Sequence, residues 1–235
     1  HDETGVCVHL NLFYETGDLS AFSKPRSYFN LSMMTDRFRE EWRANSDWLR
    51  LSFHSRQEFP GPPYAVPEPE KIAADCALVH KEIVRFAGEE TLSRTTTVHF
   101  GACPVENVRA VRELGVRCLM GLFEVSASGR PSISYFYPPE LVRHIGERDF
   151  WVDTEEQMAY GRIDLILNTI PASELKTRLQ QVGNSAGRSG FFEFMIHEQY
   201  FYEDYCAHIP AFREMVLEAC RFARSRGCKG QEISG

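Results

Sequence analysis

The chain has no Cys-x-x-Cys pair, no Gly-x-Gly-x-x-Gly string and no Walker loop. The usual sequence support for a dithiol or zinc knuckle, a dinucleotide fold and an NTPase is therefore missing. No apolar run approaches the roughly 18 residues that a membrane span needs. Its seven cysteines, Cys7, Cys76, Cys103, Cys118, Cys206, Cys220 and Cys228, are odd in number and widely spaced. That argues against a disulfide framework and for reduced, mostly buried thiols. Basic clusters are also missing. The 26 Lys and Arg are interspersed with 33 Asp and Glu, for a net charge of -7. A phosphate backbone or an anionic membrane surface needs the opposite pattern, so neither is expected as a partner. With no signal peptide in the sequence, a cytoplasmic protein is expected. The sequence opens on His1-Asp2-Glu3 without a Met, so an upstream segment is expected.

What is present suits one globular domain. The chain has 235 residues, 43% of them apolar, and no linker divides it. Strand-like runs alternate with helix-like ones. Strands are expected at 6–14, 48–55, 95–100, 116–125, 162–168 and 191–197, each rich in β-branched, aromatic or leucine residues. Helices are expected near 35–45, 71–87, 105–114, 139–146, 173–182 and 209–226. The second is the clearest, because Ile72, Cys76, Val79, Ile83 and Phe86 recur on one face. Residues 58–69 hold five prolines and read as a loop, residues 133–137 as an excursion or hairpin, and residues 183–190 as a flexible turn. Alternation of this kind predicts a mostly parallel sheet with crossover helices.

Three of the expected strands end on histidine: His54, His99 and His197. Parallel α/β folds place their chemistry at that edge, so the three are candidates for one site. His54 precedes Ser55-Arg56-Gln57-Glu58, where a neutral imidazole and a carboxylate four residues on can share a metal. The plainer alternative is a strand-end histidine bonded to backbone. His197 is followed by Glu198 and by Tyr200, Phe201, Tyr202 and Tyr205. It suits a general acid or base, with Glu198 in support and the aromatics offering flat faces to a ring. A structural aromatic cluster is the alternative. His99 and Asn11 are candidate pocket residues, and Trp151 a candidate stacking platform. Asn168 is a further strand-end candidate, and Asp153 and Asp164 are weighed beside it. Cys103 is either a small buried filler or a nucleophile. His9, His80, His144 and His208 read as structural or surface residues.

The pieces Gly5–Phe13, Leu51–Glu58, Thr95–Gly101 with Val105–Gly115, and Phe194–His197 together resemble the polysaccharide deacetylase (NodB-like) superfamily. The resemblance implies an α/β fold, a single distorted (β/α)7-type barrel with mostly parallel strands spanning 1–235 and lacking an upstream first strand. It implies a metal-dependent hydrolase acting on a carbohydrate or a related amide or ester. It implies a divalent metal, often zinc, held by His54 and Glu58, with His197 as the proton-transfer group. Departures are present: Glu58 stands where the motif has a second histidine, no Arg-Pro-Gly precedes His99, and no Asp-Asp pair precedes the first strand. A non-catalytic carbohydrate or small-molecule binder is the alternative, and a Cys103-dependent hydrolase a third.

Overall fold

The computed structural model describes residues 1–58, 61–187 and 190–233. Phe59 and Pro60 of the proline-rich loop, Arg188 and Ser189 of the 183–190 turn, and Ser234 and Gly235 lie outside the described residues.

The first half follows its hydrophobic patterning. Strand β1 (Val8–Phe13) pairs in parallel with β2 (Leu49–Ser55), with the short helix α1 (Arg39–Ala44) between them. Side chains of β2 alternate, as a pleated strand requires. Leu51 and Phe53 face helix α2 (Pro69–Phe86), and Ser52 and His54 face the other way. Helix α2 starts on Pro69, a position where no amide donor is needed. Its Ile72, Cys76, Val79, Ile83 and Phe86 are all buried, packed with Val108 and Val111 of α3 (Val105–Glu113). Each such side chain contributes about 1.5–3 kcal/mol by leaving water.

The second half departs from the expected barrel. Strands β3 (Thr95–Thr96) and β4 (Cys118–Gly121) are short. They join β8 (Met158–Arg162) in parallel and β7 (Phe150–Asp153) in antiparallel, in the order β3-β4-β8-β7. A hairpin of β5 (Glu124–Val125) and β6 (Pro131–Ser132) precedes α4 (Pro139–Gly146). Strands β9 (Leu165–Ile166) and β10 (Phe194–Met195) form a parallel pair of their own. Helices α5 (Leu175–Gly183) and α6 (Phe212–Ser225) close a second core on Leu167, Leu175, Leu179, Phe212, Met215 and Ala219.

The fold is thus mixed α/β with separate sheets of two to four strands, and the described residues form no closed (β/α)7-type barrel. The cause is visible at residues 133–135. This segment crosses the ends of β3 and β4, with Leu122 N–H donating to Ile133 O and Tyr135 N–H to Gly101 O. Room exists because residues 101 and 121 are glycines. A Cβ on Gly101 would lie 2.6–2.9 Å from Ile133, and one on Gly121 2.5 Å from Ile133 O. The crossing segment takes strained backbone, φ 44° at Ile133 and 57° at Tyr135, with Phe100 (61°) and Phe123 (49°) bent beside it. An expected strand at 95–100 therefore stops at Thr96, and one at 116–125 breaks at Leu122-Phe123. The run at 191–197 keeps only two paired residues, and the strand expected at 162–168 is shortened to β9, with β8 a separate strand just before it.

Candidate functional site

The C-terminal ends of β1 and β2 open into a cleft of about 2130 Å³ that runs along β1 and β10. His54, Glu58, His99, His197, Glu198 and Asn11 all line it, so the strand-end histidines do share one cavity. They arrive by different routes. His54 ends the inward face of β2. His99 opens a single turn of tight helix, His99–Gly101, and the left-handed φ at Phe100 ends the extended run there. His197 precedes another such turn, Glu198–Phe201.

His54 and His99 are buried and form a chain of contacts. His54 Nδ1 hydrogen-bonds Thr97 O. His54 Nε2 lies 3.0 Å from His99 Nδ1, and His99 Nε2 lies 3.0 Å from Glu58 O. Phe13 stands edge-on to both rings, at centroid distances of 4.9 and 5.1 Å. Burial disfavours the charged imidazole and holds the His54 pKa down to about 3, helped by His99 nearby and opposed by the Thr97 hydrogen bond. Burial also lowers His99. His197 is separate: its Nδ1 meets Asn168 Oδ1 at 2.9 Å. Burial lowers its pKa too, while Glu198 pulls it up. All three histidines are therefore mainly neutral near pH 7.

Asn11 reaches the cleft floor, where its Oδ1 accepts from Ser52 Oγ at 2.6 Å and Thr96 Oγ1 at 3.2 Å. Two expected ligand platforms point elsewhere. Trp151 packs on Tyr137 and Tyr160 and does not line the cleft. Tyr200 packs on Phe212 and Tyr205 and does not line it either. The aromatics that do line it include Phe13, Phe100, Tyr202 and Tyr205. Of these, Phe13 was legible as the next inward residue after Asn11 in a period-two strand. Phe100, 47% exposed, became recognisable only through its left-handed backbone.

The donor set implied by the family resemblance does not fit. Glu58 approaches His99 through its backbone carbonyl, while its carboxylate makes no hydrogen bond or ion pair among the described residues. Burial and the nearby Glu198 raise the Glu58 pKa. Among the described residues, no group of three His, Cys, Asp or Glu is placed to hold a metal. Cys103 is buried outside the cleft, and burial raises its thiol pKa to about 12, which keeps it protonated. Asp153 closes a turn through the Glu155 and Glu156 amides, and Asp164 accepts from Glu193 N–H. Gly183-Asn184-Ser185-Ala186-Gly187 fits the nucleophile-elbow string Gly-x-Ser-x-Gly. It follows a helix rather than a strand, and Ser185 Oγ donates to Gln181 O at 2.8 Å, so the elbow's structural context is absent.

No family model matches this chain, and no curated protein matches it. Among the described residues, no helix is long and apolar enough to cross a membrane.

Proposed function

We propose that this chain is a hydrolase cleaving an amide or ester bond of a carbohydrate or related small molecule in the histidine-lined cleft. The observation that carries this reading is the convergence of His54, His99 and His197, from three separate parts of the chain, on one cavity. Asn168 fixes His197 through Nδ1, which leaves Nε2 as the basic nitrogen of a neutral imidazole. That nitrogen takes a proton from water as the water oxygen bonds to the acyl carbon. It returns the proton to the leaving nitrogen or oxygen as the C–N or C–O bond breaks. Glu198 stabilises the imidazolium formed between the two events. The runs Leu51–Glu58 and Phe194–His197, which resemble the polysaccharide deacetylases, support the reaction class.

A non-catalytic binder of the same ligands is the second reading. It is favoured by the carboxylate of Glu58, which stands apart from the histidines. The two readings separate on acetylated chitooligosaccharides and 4-nitrophenyl acetate. For a hydrolase, His197→Ala lowers kcat by about 10²–10⁴-fold with little change in ligand affinity. Saturable oligosaccharide binding by the unmodified protein, with no turnover of any substrate tested, would establish the binder instead.

A further inference from the structure

The contacts of His54 and His99 impose a proton count. A carbonyl oxygen only accepts, so His54 Nδ1 must carry hydrogen toward Thr97 O. His99 Nε2 must likewise carry hydrogen toward Glu58 O. A neutral imidazole has one N–H. With both rings neutral, the remaining nitrogens, His54 Nε2 and His99 Nδ1, carry only lone pairs. Yet these two face each other at 3.0 Å. Two opposed lone pairs repel unless something electron-poor lies beside them. A third proton would make the pair a cation, and both rings are buried where, among the described residues, no carboxylate hydrogen-bonds them to offset that charge. The other electron-poor species is a metal ion bound to both nitrogens.

We propose that His54 Nε2 and His99 Nδ1 are two adjacent ligands of a first-row divalent cation such as Zn²⁺, Co²⁺ or Ni²⁺, with water or a ligand oxygen completing the coordination. The separation fits. Metal–nitrogen bonds of about 2.0–2.1 Å and nitrogens 3.0 Å apart give a ligand–metal–ligand angle of roughly 90–100°. The outer contacts fit as well. Metal-bound histidines commonly donate their second N–H to a carbonyl or carboxylate, which fixes the tautomer, and both rings do so here. Phe13 holds both rings edge-on. Imidazole donors select borderline ions over Mg²⁺ or Ca²⁺. This pairing replaces the His54–Glu58 set and stands independently of hydrolysis, because it is read from metal binding without substrate.

Calorimetric titration of the metal-free protein with Zn²⁺, and visible absorption with Co²⁺, test it. The expected result is one saturable site and a cobalt spectrum showing nitrogen ligation. His54→Gln and His99→Gln should each weaken binding by at least about tenfold. His1→Ala, which removes an N-terminal histidine able to bind metal adventitiously, should leave it unchanged. Glu58→Gln keeps the carbonyl and should change affinity by less than about threefold, on the same grounds of second-N–H support. Binding lost in Glu58→Gln but kept in His99→Gln would overturn the pairing in favour of the carboxylate. Should the glutamine variants fail to fold, nitrogen NMR of the imidazoles in the unmodified protein decides. Zinc-dependent shifts at His54 Nε2 and His99 Nδ1 support the site. A proton shared between them that persists in excess zinc overturns it.

Discussion

The two ends of the cleft are built from similar residue types and behave differently. At the C-terminal ends of β1 and β2, His54 and His99 are uncharged and buried, each hydrogen-bonded to a backbone carbonyl, with their remaining nitrogens facing each other at 3.0 Å. At the opposite end, Cys7, His9, Glu193 and Glu232 line the same cavity, and Arg50 pairs with Glu232 from outside the lining. There the charges are matched: Arg50 pairs with Glu232 and also donates to Glu90 O. The C-terminal tail is tied in by Gly230 N–H to Gly5 O and by Thr95 Oγ1 to Ile233 O. Ile233 itself packs on Cys118, Met120 and Ile163. One end has unspent lone pairs, and the other holds the C-terminal tail through the Arg50–Glu232 pair and two backbone-directed hydrogen bonds. On the proposed reading, the difference separates residues kept for chemistry from residues kept for stability, although both sets are polar or ionisable.

Substitutions can break that contrast. The largest effect on stability is expected at the closed end. Arg50→Ala leaves Glu232 without its partner and frees the tail, at a cost of about 3–5 kcal/mol by denaturant unfolding. A loss below about 1 kcal/mol would mean the tail is not anchored there. Next is Gly101→Ala, in the turn that carries His99. The φ of 56° and the 2.6–2.9 Å approach of Ile133 both oppose a Cβ, at a combined cost of about 2–4 kcal/mol. Because residue 101 ends the turn carrying His99, zinc affinity should fall with it. At the open end, Asn168→Ala should leave stability nearly unchanged and lower kcat about tenfold, equivalent to about 1.4 kcal/mol, as His197 loses its orienting partner. If Asn168→Ala unfolds the protein instead, the separation of roles between the two ends fails.

These distinctions were unevenly legible. Helix α2 could be read residue by residue, since five apolar side chains at helical spacing have one way to be buried together. The shared cavity of His54, His99 and His197 followed from their places at the ends of apolar runs. Barrel closure did not follow. The interruptions depend on Ile133–Tyr135 crossing Gly101 and Gly121, a contact between distant segments that leaves no periodic trace. The β7–β8 hairpin was likewise hidden, because Phe150–Asp153 reads as a rim segment until Trp151 is seen opposite Tyr160. For Trp151 and Tyr200, residue type suggested a platform, and local packing turned both rings inward.

The smallest expected effect sharpens the contrast within the closed end itself. Glu193 sits deep in the cleft yet keeps part of its surface open to it. Burial, with Asp164 adding repulsion, raises its pKa from 4.5 to about 7. A carboxyl raised in the folded state holds a proton that the unfolded chain has released. Its contribution to stability is therefore present below about pH 4.5, falls as pH rises, and is gone above about pH 7. Glu193→Gln removes the titration. Its stability should lose this slope between about pH 5 and 7, and at pH 8 it should exceed that of the unmodified protein by about 1 kcal/mol. That figure is reduced from the full shift because the carboxyl retains solvent. Equal slopes in the two proteins across that window would show that Glu193 ionises as freely as it does in water. The committed, charge-matched end would then extend to every carboxyl in it rather than stopping at Glu232.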